Sequence, residues 1–198
     1  ELFIFYYLRY MLRQLCLLLL FSNFALLANA QAVKWQDALQ LDPRTVTTLD
    51  CSGLKWDTLP IKLFEFVALE SLDLSKNKLT FLPDEMKAFT QLQDLKLGKN
   101  KLDHFPLVLC QLPMLLDLSL ERNALRMLPD QISALSQLQY LDLYGNAIEQ
   151  FGEGVFLLPN LRMLNIEGVM YGTVFAKQLL GRLPNTKVLI DPPCKCLD

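Results

Sequence analysis

The side chains that most often act in catalysis are few and scattered in this chain of 198 residues. The single histidine, His104, lies between Asp103 and Phe105, away from any serine or cysteine in a triad-like context, and is interpreted as a solvated loop residue. The adjacent carboxylates of Asp84 and Glu85 fall at a predicted helix start, where they complement the positive end of the helix dipole. The eight glycines form no phosphate-binding loop, and neither H-E-x-x-H nor C-x-x-C occurs. We therefore predict that the protein is not an enzyme and holds no cofactor.

The charge balance argues against strongly anionic partners. The chain has 19 Lys and Arg residues against 21 Asp and Glu residues, a net charge of -2. Removing residues 1–30 takes away Arg9, Arg13 and Glu1, which leaves a net charge of -3. Neither nucleic acid nor an anionic membrane surface is therefore predicted as a partner.

A repeat of 23 residues must position whatever function remains. The frame Leu-x-x-Leu-x-Leu-x-x-Asn-x-Leu/Ile occurs four times in register. Its asparagines are Asn77, Asn100, Asn123 and Asn146. Degenerate copies begin at Val46 and Leu161, with Leu54 and Val169 in the asparagine position, as expected of capping repeats. This pattern resembles the leucine-rich repeat family, and the resemblance covers roughly residues 46–190.

The two halves of the repeat predict different structures. In the first half, alternate side chains point to opposite faces, so each repeat contributes one short strand of a parallel sheet. The second half reads Leu-Pro-x-x-apolar-x-x-apolar, as in Leu82, Met86 and Phe89, and places the apolar residues on one face of a short helix that begins at the proline. Together with the resemblance, this predicts an α/β fold, a leucine-rich repeat solenoid. It has a curved right-handed parallel β-sheet on the concave side and short helical turns on the convex side.

The asparagines are predicted to be structural. Each lies where the chain turns out of its strand, and its amide can satisfy backbone groups that the turn leaves unpaired. The resemblance implies a hydrogen-bonded ladder between neighbouring turns. An unpaired buried polar group costs about 1 to 3 kcal/mol, so losing one asparagine should destabilise the fold by that amount.

Residues 1–30 differ from the rest in composition. The segment from Met11 is typical of a signal peptide, with Arg13, an apolar stretch and an Ala28-Asn29-Ala30 cleavage site cut after Ala30. We predict a secreted, periplasmic or cell-surface protein. One alternative is a retained membrane anchor, because residues 14–33 are uncharged and barely long enough to span a bilayer. The other is a cytosolic chain in which this segment has neither role.

Both ends of an open sheet need a cover. The expected divisions are a signal peptide at 1–30, an N-terminal capping helix at 31–45, six repeats at 46–185, and a capping strand with a tail at 186–198. Helical spacing of Trp35, Ala38 and Leu39 predicts the first cap, in a helix from Trp35 to Leu41.

The last repeat is expected to be longer, at about 25 residues, because the sequence from Leu183 to Ile190 echoes that from Leu158 to Asn165. We interpret the echo as a final strand. A longer convex helix before it should pack four apolar residues. These are Val174, Leu179, Leu180 and Leu183.

Four cysteines follow residue 30, and their pattern predicts no metal site. Cys51 occupies an inward strand position and is expected to be a buried thiol. Cys110 lies more than two repeats away, beyond disulfide reach of Cys51. Cys194 and Cys196 resemble the opening of the cysteine-flanked C-terminal cap of extracellular leucine-rich repeat proteins, but further cysteines are missing, so truncation and accidental likeness both stay open.

The strand positions that alternate with the leucines form the predicted binding surface. They are mostly acidic, with two tyrosines in one repeat. The candidate partner-binding residues are Asp50, Asp73, Asp94, Lys96, Asp117, Glu121, Tyr140, Asp142 and Tyr144. A protein or peptide with a basic contact region fits this surface, and the two tyrosines would be its anchors.

Two further hypotheses remain for the function. In one, the protein is a wall- or matrix-associated spacer whose acidic residues only solvate the sheet. In the other, the chain is the repeat portion of a larger receptor or effector. A membrane contact is expected only if residues 1–30 are retained as an anchor.

Overall fold

The computed structural model describes residues 32–169, 171 and 173–192. The predicted signal peptide, with Met11 and Ala30, and the predicted tail cysteines Cys194 and Cys196 lie outside these residues. Within the described part of the chain, no helix is long and apolar enough to cross a membrane.

Over residues 32–192, apart from the two positions left out, eight short parallel strands form the main sheet, and every strand pairs with its neighbour in the solenoid. In chain order they are β1 (Val33–Lys34), β2 (Thr48–Asp50), β3 (Ser71–Asp73), β4 (Asp94–Lys96), β5 (Asp117–Ser119), β7 (Tyr140–Asp142), β9 (Met163–Asn165) and β10 (Lys187–Leu189). Two more strands, β6 (Met127–Leu128) and β8 (Gln150–Phe151), form a separate parallel pair in the crossovers. The predicted parallel solenoid sheet is confirmed.

The strand register follows the sequence period from β2 to β9. Leu49 pairs with Leu72, and each later pairing along this row also joins residues 23 positions apart, because the leucines must stay on the same face. At the last strand Leu164 pairs with Val188, 24 positions on. The expected repeat of about 25 residues is therefore one residue too long. The echo would have placed Leu189 opposite Leu164, whereas Val188 is the residue that continues the inward row.

Helical turns return the chain on the convex side, as predicted. The described residues include six 3-10 helices, which span Pro43–Thr45, Ile61–Glu65, Asp84–Ala88, Leu107–Gln111, Asp130–Ala134 and Glu153–Leu157. Pro60, Pro83, Pro106 and Pro129 each stand immediately before a helix, one residue earlier than expected. At this position the proline is extended. The helix begins at the next residue, which has the backbone N–H that proline lacks.

The N-terminal cap differs from the expected helix. Helix α1 (Trp35–Ala38) is only four residues long, and β1 precedes it and pairs with β2. Trp35 and Ala38 are buried as expected, whereas Leu39 is exposed. The Trp35 ring meets the Trp56 ring edge-on with centroids 5.1 Å apart, so the indole closes the apolar core at this end.

The last convex element is α2 (Thr173–Arg182). Leu179 and Leu183 are buried, as is Ala176. The expected packing of Val174 and Leu180 is wrong, since 63% and 48% of their surfaces are exposed. Ala176, Leu179 and Leu183 recur at spacings of three and four and therefore define the buried face, which Val174 and Leu180 flank.

Candidate functional site

The strands bring most of the predicted binding residues into neighbouring rows on the concave face. Asp94 of β4 lies beside Asp117 of β5, which lies beside Tyr140 of β7. The next row in the strand direction includes Asp73, Lys96 and Asp142. Neighbouring strands are about 4.8 Å apart, so charged groups in one row interact directly.

Three aspartates of this face have a structural role that was not predicted. Asp50, Asp73 and Asp142 each accept a hydrogen bond from the backbone N–H two residues on. These Asx turns hold the chain as it leaves the strand, and Asn165 does the same for Glu167. The sequence signal for these turns was the recurrence of aspartate two residues before the chain turns out of the strand. Their carboxylates are therefore partly committed to the fold.

The carboxylates of Asp94 and Asp117 lie on adjacent strands, and Lys96 is a cation that acts on both of them. One oxygen of Asp94 accepts a bond from the Ser71 hydroxyl at 3.0 Å, and Lys96 Nζ lies 3.9 Å from the same oxygen. The other oxygen, Oδ1, is buried and has no hydrogen-bond partner among the described residues. Partial burial of the Asp117 carboxylate raises its pKa, the charges of Asp94 and Asp142 raise it further, and Lys96 opposes them.

Asp142 extends this acidic region. Partial burial raises the pKa of its carboxyl, the charge of Glu121 adds to the shift, and the N–H of Tyr144 counteracts it. Burial is the largest cause of both shifts and the neighbouring carboxylates add to it, so Asp117 and Asp142 are harder to ionise than an ordinary aspartate.

The two tyrosines differ in availability. Tyr140 exposes 39% of its surface next to Asp117. Tyr144 is half-buried, and the Arg122 guanidinium carbon lies over its ring, 5.4 Å from the centroid. Tyr140 is thus free to contact a partner, whereas Tyr144 also supports an intramolecular cation–π contact.

The four asparagines make the same set of bonds from repeat to repeat. In Asn100, Oδ1 accepts from Leu79 N at 3.0 Å, and Nδ2 donates to the carbonyls of Leu97 and Leu74 at 2.9 and 3.0 Å. Equivalent bonds are made by Asn77, Asn123 and Asn146. Each side chain therefore closes its own turn and bonds to the preceding one.

The residue before each position of the asparagine column is left-handed. The φ values lie between 52° and 77° at Gly53, Lys76, Lys99, Arg122, Gly145 and Gly168. Glycine adopts this conformation without strain, and lysine and arginine do not. The three glycines in this column were a signal in the sequence that the prediction missed.

Comparison with known proteins agrees with this geometry. A family model described as leucine rich repeat matches residues 67–125 and 115–168, together more than half of the chain. This chain belongs to the leucine-rich repeat family. A solved structure of a leucine-rich repeat protein from Leptospira interrogans is 24% identical, with a TM-score of 0.46 over 81% of this chain and 58% of that one. The chain thus spans less than two thirds of that protein's length. A search of curated proteins finds no match.

The leucine-rich repeat also presents a basic edge beside the acidic face. We use this name for Lys76, Lys78, Lys99, Lys101 and Arg122, all exposed where the strands turn outward. Lys99 lies 3.8 Å from Glu121, which places that carboxylate between the acidic face and the basic edge. Among the predicted binding residues Asp50 is paired more closely still, because Lys34 donates directly to its carboxylate and helps to lower its pKa.

In the described part of the leucine-rich repeat, the remaining reactive side chains do not come together in one place. His104 is exposed and contacts Asp103 at 2.9 Å, and burial raises the pKa of the Cys51 thiol to about 12. Among the described residues, no three His, Cys, Asp or Glu side chains cluster in a way that would hold a metal ion. A cavity of about 380 Å³ on the convex side contains an ion pair between Arg182 and Glu153, with the guanidinium over the Phe156 ring.

Proposed function

We propose that this leucine-rich repeat protein is a non-catalytic binding module whose concave sheet engages a protein or peptide with a basic contact region. The observation that carries the proposal is the pair formed by Asp94 and Asp117. Like charges opposite each other on adjacent strands destabilise a sheet, and a buried carboxylate oxygen without a partner adds to the cost. A lysine or arginine from a partner would add to Lys96 in relieving the repulsion between the two carboxylates.

The neighbouring residues suit such a contact. Tyr140 adjoins Asp117 and supplies an exposed aromatic ring, and tyrosine is frequent among residues that dominate binding energy. Asp142 adds a third carboxylate to the same region. A basic side chain held between Asp94, Asp117 and Asp142 would be paired with charge and have its aliphatic part against the ring.

The location of this binding is also a proposal. The sequence of residues 1–30, with its basic start, apolar stretch and A-x-A site, supports export, so the partner would be met outside the cytoplasm or at the cell surface. Mass spectrometry of the exported protein would test this, because an N-terminus at Gln31 is expected. Retention of the first 30 residues would contradict it.

The Asx turns favour a second candidate function, that of a spacer. Asp50, Asp73 and Asp142 bond to their own backbone, so part of the acidic face serves the fold and need bind nothing. Asp94 and Asp117 make no such bond in the described structure, so variants of these two residues separate the hypotheses.

The test is binding to an array of synthetic peptides that differ in charge, followed by calorimetry on the tightest. We expect lysine- and arginine-containing peptides to bind and their glutamate-substituted versions not to bind. Asp94→Asn combined with Asp117→Asn should weaken binding about tenfold or more, as expected for buried charge pairs. Tyr140→Ala should also weaken binding. It is a more specific test than Tyr144→Ala, because removing the Tyr144 ring would also disturb Arg122.

The matched control removes two carboxylates from the convex side. Asp84→Asn combined with Glu85→Gln changes the net charge by the same amount at an exposed helix start. Unchanged binding in this control and loss in the concave variant support the proposal. Equal loss in both would show nonspecific attraction, and absence of charge-dependent binding would favour the spacer.

A further inference from the structure

Among the described residues, no strand pairs with the outer edge of the last strand at the C-terminal end of the sheet. β10 is the last strand of the eight-stranded sheet and pairs only with β9 among the described residues. Side chains of Val188, Leu189 and Ile190 are half-buried there. An open edge with apolar side chains is a template for another strand.

The backbone groups that face this edge follow from the ladder. Lys187 N–H donates to Arg162, and the Leu189 carbonyl accepts from Ile166, so both residues bond toward β9. Bonding direction alternates along a strand, so the N–H and C=O groups of Val188 and Ile190 point outward. Two donors and two acceptors are thus presented in line.

The charged side chains of this segment are complementary to those of a second copy running in the opposite direction. The sequence runs Lys187, Val188, Leu189, Ile190, Asp191, with opposite charges at equal distances from the central leucine. If a second copy runs antiparallel with Leu189 opposite Leu189, then Val188 faces Ile190 and Lys187 faces Asp191 on both sides. Opposite charges in such positions stabilise strand pairing.

We propose that two copies of this chain dimerise by antiparallel pairing of their β10 strands about a two-fold axis at Leu189. Val188 of each copy exchanges two backbone hydrogen bonds with Ile190 of the other. Lys187 and Asp191 form an interchain ion pair on each side of the axis. The central leucines form a non-hydrogen-bonded pair, which agrees with their backbone groups pointing toward β9.

The surrounding structure suits this register. Gly168 N–H donates to one carboxylate oxygen of Asp191 at 2.6 Å, and the Tyr171 hydroxyl donates to the Asp191 carbonyl, so Asp191 is anchored at the end of the segment. Pro192 follows and has no N–H, which ends the ladder. Lysine and proline on an edge strand can also protect a monomer, and oligomeric state distinguishes the two outcomes.

The dimer would place both concave faces on the same side of one continuous sheet. A two-fold axis perpendicular to the sheet relates the copies, so two acidic regions would face the same direction. A partner carrying two basic segments could then bind both copies and gain avidity.

Sedimentation over a concentration series tests the proposal on the purified protein. We expect twice the monomer mass at high concentration. Lys187→Asp places two carboxylates opposite each other on both sides of the axis and should raise the dimer dissociation constant about tenfold or more. Asp191→Lys should do the same through paired lysines. Lys177→Asp, an equal charge change on the exposed part of α2, should leave the constant unchanged.

Mixing the two charge variants gives the decisive result. Lys187→Asp and Asp191→Lys repel themselves but complement each other, so the mixture should form a heterodimer about as tight as the native dimer. Val188→Pro removes an outward N–H while sparing the bonds to β9, and it should abolish dimers without loss of circular dichroism. A monomeric native protein at all concentrations would overturn the proposal, as would Lys187→Asp dimers of native affinity or a mixture that stays monomeric.

Discussion

Replacing Asn100 by alanine tests the bonding of the repeat most directly. The side chain makes three hydrogen bonds, one to an N–H and two to carbonyls. A neutral hydrogen bond contributes about 1 kcal/mol net, and a buried group left unpaired costs about 1 to 3 kcal/mol. Asn100 is half-buried, so three bonds at about 1 kcal/mol each set the expected loss at about 3 kcal/mol of unfolding free energy, the upper end of the range expected from the sequence.

The measurement is denaturant unfolding followed by circular dichroism. The unfolding free energies of native and variant protein are compared with one common m-value, the slope of free energy against denaturant concentration. Asn160→Ala is the matched control. Asn160 is exposed, and its amide donates only to Ser136 O at 2.8 Å, so the control should lose less than about 1 kcal/mol.

Asn100→Asp separates the amide bonds from the space the side chain fills. The aspartate keeps the acceptor for Leu79 N but sets a negative oxygen against the carbonyls of Leu74 and Leu97. We expect it to be at least as destabilising as alanine at pH 7, and less so at low pH, because a protonated carboxyl can donate. A loss below about 1 kcal/mol in Asn100→Ala, or an Asn100→Asp variant as stable as the native protein at pH 7, would refute the reasoning.

Three further predictions concern backbone strain, close packing and pH. Lys76 has a φ of 58°, so Lys76→Gly should raise the melting temperature by an amount equivalent to about 0.5 to 1 kcal/mol. Gly145 has a φ of 65°, so Gly145→Ala should lower the melting temperature by a similar amount. A lower melting temperature for Lys76→Gly than for Gly145→Ala would contradict the assigned strain. A β-carbon on Gly154 would lie 2.0 Å from the Asp130 carbonyl oxygen, so Gly154→Ala should cost more than about 3 kcal/mol in chemical denaturation, whereas Gly181→Ala in α2, with no atom within 4 Å, should be neutral or stabilising. The folded-state pKa of Asp117 is raised, so the contribution of Asp117 to stability is greatest at low pH and is lost as the pH rises through that pKa from about 4. Asp117→Asn should therefore flatten this part of the curve of stability against pH. An unchanged curve would contradict the prediction.

The period of the leucines was enough to predict the solenoid because each inward position recurs at the same place on a parallel strand. Features that break the period were not predicted. β1 has no repeat partner in the sequence, and β6 and β8 arise only where two crossovers meet. At β10 the choice between Val188 and Leu189 depends on packing at the end of the core, which the echo of an earlier repeat does not encode.

The sequence predicted which strand positions the candidate residues occupy, but not which of their carboxylates bond to their own backbone. Strand alternation placed Asp94, Asp117 and Tyr140 on the concave face. It did not distinguish them from Asp50 and Asp73, whose carboxylates cap turns, since that depends on side-chain direction at the strand end. Lysine carries no preference for a positive φ, so the strain at Lys76 and Lys99 was visible only through the glycines of the same column.

The asparagine bonds connect each turn only to the one before it, and this determines how the molecule would respond to force. Pulled from its ends, the stack has no cross-link among the described residues that shares the load over distant turns, so one turn after another would peel from the end of the solenoid. Each detached turn would release 23 residues, about 80 Å of extended chain. From β2 to β9 the molecule would thus lengthen in equal steps under load.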